Sequence, residues 1–185
     1  MKNFFDIVLK KSEDWEHGHY ENCQFNAIDF KALDLKGAKF IDCEFIDCDL
    51  SNLSLTGCTL QQIIFKNTKL QGIHFENVNP FGFECQFNDC LLRYSSFYQV
   101  NLQQSSFADC DLTESDFTES KAQGTAFVNC ELAGALFENS DLRKANFENS
   151  TNLILDPSSN QIKGLQLNSA QLAGLLTKYQ LTIKG

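Results

Sequence analysis

Large apolar residues recur at every fifth position over most of this chain, and that spacing excludes an amphipathic helix at once. They stand at Tyr20, Phe25, Phe30, Leu35, Phe40, Phe45, Leu50, Leu55, Leu60, Phe65, Leu70 and Phe75. The series resumes at Phe87, Leu92, Phe97, Leu102, Phe107, Leu112, Phe117, Ala122, Phe127, Leu132, Phe137, Leu142 and Phe147. Residues five apart on an α-helix lie about 140° apart around the axis and share no face. In extended chain, the residue two before each large one points to the same side. That position holds a smaller Cys, Ala, Ser, Thr, Val, Ile or Leu. Each unit therefore predicts a short strand with two inward side chains. The two residues left over form a corner, often of turn-tolerant Asn, Asp, Gly or Ser, as in FIDCDL, FENSDL and FENSTN.

Repeated, such units stack into a solenoid whose coils pair by backbone hydrogen bonds around an apolar interior. Every fourth unit from Phe25 is Phe: Phe25, Phe45, Phe65, Phe87, Phe107, Phe127 and Phe147. Four sides per coil would stack these into one core ladder. After Phe87, however, large and smaller residues merely alternate, which also fits a ten-residue period. The stretch FENVNPFGFECQF breaks the rule: Pro80 stands where a large residue is due, and the pattern returns two residues late. If residues 75 to 87 hold two sides plus two inserted residues, Phe87 stays in its column. The break at 76–86 then reads as a bulge with Pro80 at the bend and Gly82 at or near the inward slot. Phe81 or Phe83 would project as an anchor for a partner, unless the bulge is only a kink.

The pattern divides the chain into three. Residues 1–19 are expected to cap the first coil, 20–155 to form the solenoid, and 156–185 to form a second cap. In the last segment Asn168 or Ser169 can start a short helix with Leu172, Leu175, Leu176 and Tyr179 along one face, followed by a strand, QLTIK, containing Leu181 and Ile183. This apolar face either covers its own last coil or serves as an interface.

Composition narrows the function. With 15 Lys+Arg against 24 Asp+Glu, the formal charge is −9, which argues against direct nucleic-acid binding and allows a basic partner. The N-terminal apolar run is short and broken by Asp6, so neither a signal peptide nor a membrane span is expected, and the cytoplasm is the expected compartment. The eight cysteines all occupy the smaller inward slot. Cys90, Cys110 and Cys130 should stack closely enough for a disulfide or a soft metal, but a small buried hydrophobe explains them better. His17 and His19 have no third ligand at a suitable spacing, and His74 lies outside the inward slots. With no phosphate loop, nucleophile motif or dinucleotide fingerprint, neither an enzyme nor a cofactor is expected.

The outward positions carry charge in order. Asp47, Asp89 and Asp109, with Asn67, Asn129 and Asn149, fall at the corner after the Phe column. Asp29, Asp49, Asp111 and Glu131 lie just past it, and Glu114 beyond. The result is a ladder of carboxylates on one edge, interrupted by Lys69, with Lys39, Lys121, Arg143 and Lys144 on another side. Asp and Asn also suit corners for purely local reasons.

Tandem units with Cys, Ala or Ser two before Phe or Leu resemble the pentapeptide-repeat family over roughly residues 20 to 155. That resemblance implies an all-β, right-handed quadrilateral β-helix. The tail AGLLTKYQLTI is similar to that of the family's gyrase-protecting branch, in which the C-terminal helix and strand pair two chains end to end. It implies a homodimer through Leu172, Leu175, Leu176, Tyr179, Leu181 and Ile183. The segments CLLRYSSF and LDPSSNQIKGL resemble the microcin-immunity members, alongside the quinolone-resistance proteins. The resemblance implies a DNA mimic that binds DNA gyrase or topoisomerase IV through its acidic edge and protects it from a poison. A general interaction scaffold without a topoisomerase partner is the alternative.

Overall fold

The structure, a computed structural model, describes residues 1–181 and is a right-handed quadrilateral β-helix. Two sides are regular parallel sheets. One contains β1 (Lys2–Phe5), β3 (Gly18–Glu21), β5 (Lys39–Ile41) and β7 (Thr59–Gln61). The other contains β2 (Val8–Leu9), β4 (Gln24–Asn26), β6 (Glu44–Ile46), β8 (Ile63–Lys66), β9 (Cys85–Asn88), β10 (Ser106–Ala108) and β11 (Ala126–Val128). The remaining two sides are columns of single bridges: Asp29–Asp49–Lys69–Leu91–Asp111–Glu131–Thr151, and His74–Ser96–Asp116–Leu136. Phe25 pairs with Phe45 and Phe107 with Phe127, so a regular coil has twenty residues and four sides, which removes the ten-residue alternative.

The interior is filled by the predicted ladder. Rings from Phe25 through Phe147 stack coil on coil with centroids 4.6–5.3 Å apart. Phe75, Phe97, Phe117 and Phe137 form a second ladder on the facing side, and the two meet edge to face, at 90° between Phe117 and Phe127. Offset stacking within a column and edge-to-face contact between columns both suit the ring quadrupole.

Corners are turned by residues with φ near +55°, among them Asp47, Asn67, Asp89, Asp109, Asn129 and Asn149. Asn and Asp tolerate this left-handed conformation better than most residues, which accounts for their recurrence there.

The break behaves as a corner insertion. Asn79 still donates to the Cys58 carbonyl in the ordinary twenty-residue register, whereas Ile63 pairs with Cys85. The two extra residues therefore lie between 79 and 85, a narrower interval than 76–86, and Phe87 keeps its place over Phe65. The Asn79 side chain accepts a hydrogen bond from the Phe81 amide at 3.1 Å, and Gly82 follows with φ of +72°. Gly82 thus sits in the turn beside Gln61, not at the inward slot. Phe83 takes that slot: it is buried, with its ring edge-on to Phe75.

The N-terminal segment differs from the expected cap. β1 and β2 pair with β3 and β4, so residues 2–9 already belong to a shortened coil. Phe4 and Leu9, which pair with Tyr20 and Phe25, keep the five-residue step, but the segment is hard to read because the next step, from Leu9 to Tyr20, is eleven residues and not a multiple of five. Trp15 does the capping, with its ring 5.2 Å from Tyr20 and 5.9 Å from both Phe30 and Phe40.

At the other end, Asn168 caps a 3-10 turn (Ser169–Gln171) that leads into a single-turn helix, α1 (Leu172–Leu175). The Gln171 side chain is buried and donates to the carbonyls of Phe147 and Ser150, both at 2.7 Å. The expected strand begins at Gln180 and Leu181, which are not in a strand, and continues into residues 182–185, outside the described region.

Candidate functional site

The smaller inward slot does more than fill space. Cys48, Thr68, Cys90, Cys110, Cys130 and Ser150 each donate to the carbonyl of the Phe one coil below, from Phe25 to Phe127, over 2.7–3.7 Å. Gln171 continues the series on Phe147. A small side chain with a weak or strong donor thus gives each of these buried carbonyls a side-chain partner from the next coil. Burial pushes the Cys43 thiol up to about 12 and those of Cys48 and Cys58 to about 11; Cys85 is also raised. All eight cysteines are free and buried. Cys43, Cys48, Cys58 and Cys85 are protonated, poorly nucleophilic core residues. Among the described residues no three His, Cys, Asp or Glu side chains converge on a metal position.

With the interior filled, function rests on the outside. The corner carboxylates Asp47, Asp89 and Asp109 are exposed and stack on one edge. Asn67 donates to Asp47 at 2.6 Å and Asn129 to Asp109 at 3.0 Å, holding those carboxylates in line without neutralising them. Asp29 is exposed just past the corner and accepts from the Lys31 amide. Asp47, Asp49, Asp89, Asn67, Lys69 and Leu91 border one shallow groove.

The next column is less acidic than its sequence suggests. Asp49 pairs with Lys31 at 2.6 Å and lies 3.9 Å from Lys69, while Asp111 pairs with Arg93 at 2.6 Å. Partial burial tends to raise both carboxyls, but Lys31 and Ser51 outweigh it at Asp49, and Thr113 and Arg93 at Asp111, leaving both below the ordinary range. Glu131 is likewise lowered against its burial by Asn152 and Thr151, which donate to it at 2.8 Å. Lys31 and Arg93 escape a reading along the sequence because their partners stand eighteen residues away, one coil above. Glu114 is exposed at the following corner.

A further acidic cluster spans neighbouring positions of the repeat. Asp116, Glu119 and Glu138 lie on the fourth side and its following corner, where the repeat register alone places them together.

The proposed anchors divide. Phe81 is 82 % exposed and Pro80 is exposed beside it, whereas burial removes Phe83 from that role. The C-terminal residues divide similarly. Leu172, Leu176, Tyr179 and Leu181 are exposed, while Leu175 packs partly against the chain's own core. Ile183 lies outside the described residues. Lys178 bonds Asp156 at 2.6 Å and holds its carboxyl down at about 2, tying the segment to the last coil. No described helix is long and apolar enough to cross a membrane.

A family model described as the pentapeptide repeat region matches residues 18–80 and 83–153. Its interruption, at Phe81 and Gly82, coincides with the inserted turn. Among solved structures, a trypsin-treated QnrB1, described as a plasmid-mediated fluoroquinolone resistance protein, is 16% identical with a TM-score of 0.48 and coverage of 99% of both chains. Full-length QnrB1 is 21% identical with a TM-score of 0.43, covering 97% of this chain and 100% of its own. Rfr23, a pentapeptide repeat protein from the cyanobacterium Cyanothece 51142, is 15% identical with a TM-score of 0.40, covering 76% and 92%. At these identities the likeness is one of fold alone. No curated protein matches the sequence.

Proposed function

This chain belongs to the pentapeptide-repeat family, and on that premise we propose that it is a non-enzymatic DNA mimic. It binds a bacterial type II topoisomerase, DNA gyrase or topoisomerase IV, and protects it from a poison such as a quinolone or a peptide toxin. The observation that carries this reading is the exposed edge of Asp47, Asp89 and Asp109, aligned along the rod and free of cationic partners among the described residues. Coil spacing sets the edge's repeat at roughly 4.8 Å, and the ladder from Phe25 to Phe147 spans roughly 30 Å. Phosphates along one DNA strand repeat at about 3.4 Å, so the rod is comparable with nearly one turn of duplex.

Two further surfaces belong to the same proposal. The exposed Leu172, Leu176, Tyr179 and Leu181 pair two chains end to end and double the rod; Phe81, with Pro80, gives a lateral apolar anchor. The reading is tested by competition: the wild type displaces labelled duplex DNA from purified gyrase or topoisomerase IV, with affinity falling as salt rises. Failure to displace DNA from either enzyme at low salt contradicts it. A general interaction scaffold is the second reading, favoured by Lys31, Lys69 and Arg93, which break the acidic field. A pull-down from bacterial lysate at low salt that lacks both enzymes supports the scaffold.

A further inference from the structure

The acidic face has an apolar centre. In the column Asp29, Asp49, Lys69, Leu91, Asp111, Glu131 and Thr151, Leu91 alone is hydrophobic, and it is 37 % exposed. Tyr94, three residues on at the next corner, is 59 % exposed with φ of +60°. Neighbouring coils place Asn52, Gly72, Glu114 and Gly134 at that corner. Tyr94 is the one aromatic among the non-glycine residues with positive φ. Left-handed backbone is unfavourable for a bulky side chain, so an exposed aromatic held there costs stability without adding core burial.

The surroundings define what could cover this pair. Arg93, between Leu91 and Tyr94, is drawn onto Asp111 at 2.6 Å, which leaves the middle of the patch electrically neutral. Exposed Asp89 lies toward one edge and exposed Glu114 toward the other. Neutral apolar contact at the centre with charge at the rim is the arrangement of a protein-binding hot spot. Lys69, the bridge neighbour of Leu91 in the coil below, lies 3.9 Å from Asp49, and the rest of the rim is acidic, which disfavours a nucleic acid. A second copy of this chain would bring like charges together across the contact.

We propose that Leu91 and Tyr94 form a hot spot that inserts into an apolar pocket ringed by Lys or Arg on the partner protein. This inference rests on the topoisomerase reading and refines it. The carboxylates supply attraction to any groove built for DNA, whereas Leu91 and Tyr94 distinguish one protein surface from another.

The test uses L91S/Y94N in the full chain. Asn suits the left-handed corner, so thermal unfolding reports whether the fold is kept; the single variant Y94N, with Leu91 intact, is the companion. Binding to purified gyrase and topoisomerase IV is measured between 50 and 300 mM salt, beside wild type and D47K/D89K/D109K. The expected result is a loss of tenfold or more for L91S/Y94N at every salt concentration, with an unchanged salt slope, while the lysine variant flattens that slope. Undiminished binding by a folded L91S/Y94N overturns the hot spot and leaves the topoisomerase reading standing. If L91S/Y94N unfolds early, equal affinity of folded Y94N and wild type overturns it instead. If wild type binds neither enzyme, both readings fall together.

Discussion

The small inward residue is the point at which this sequence connects to its fold most directly. Ser150 shows why: its hydroxyl donates to the Phe127 carbonyl at 2.7 Å and accepts from the Cys130 amide at 2.8 Å, out of reach of solvent. Ser150→Ala removes both bonds while changing little volume. Leaving buried polar groups unpaired costs about 1–3 kcal/mol. Thermal unfolding should therefore begin roughly 2–10 °C earlier in this variant, and an unchanged melting curve would show that the hydroxyl only fills space. The slot's size was legible from Cys, Ser, Thr and Ala alternating along the chain. Its donor role was not, because the accepting carbonyl stands twenty-three residues earlier and only the coil period brings the two together. The same limitation hid the partners of Asp49 and Asp111: a five-residue pattern locates a carboxylate on a face but not the cation reaching it from another coil.

At the level of elements, the regular sides were readable because burial repeats with strand geometry, and the ends were not. Phe4 and Leu9 keep the five-residue step, but the eleven residues from Leu9 to Tyr20 detach them from the series, and the inserted turn at Pro80 places Phe83 inside where the pattern would set Gly82. The C-terminal segment closes the solenoid by supplying donors that a next coil would have provided. Gly174 is essential to this closure, since a Cβ there would lie 1.8 Å from the Leu153 carbonyl oxygen. A collision with backbone cannot be relieved by a rotamer change. Gly174→Ala is expected to lift α1 from the last coil, break the Gln171 bonds to Phe147 and Ser150, and raise hydrogen exchange there while the central coils stay protected. Unaltered exchange at the last coil would show that the segment docks in another way.

For the molecule as a whole, the fold dictates which charges can act together. The coil period gathers Asp47, Asp89 and Asp109 onto one edge, and the left-handed corner favours Asp or Asn at each of them for local reasons. Backbone preference therefore explains the residue type, while the choice of Asp over Asn sets the field that a cationic groove would meet. The paired carboxylates contribute less to that field. Reversing Asp49 and Asp111 is accordingly expected to weaken partner binding less than reversing the three corner residues. The most direct measurement is DNA supercoiling by purified gyrase in the presence of a poison, with wild type or D47K/D89K/D109K added at equal concentration after folding of the variant is verified. Restored supercoiling by the wild type and none by the variant is the predicted result; equal rescue by both, or rescue by neither across quinolone and peptide poisons, contradicts the account.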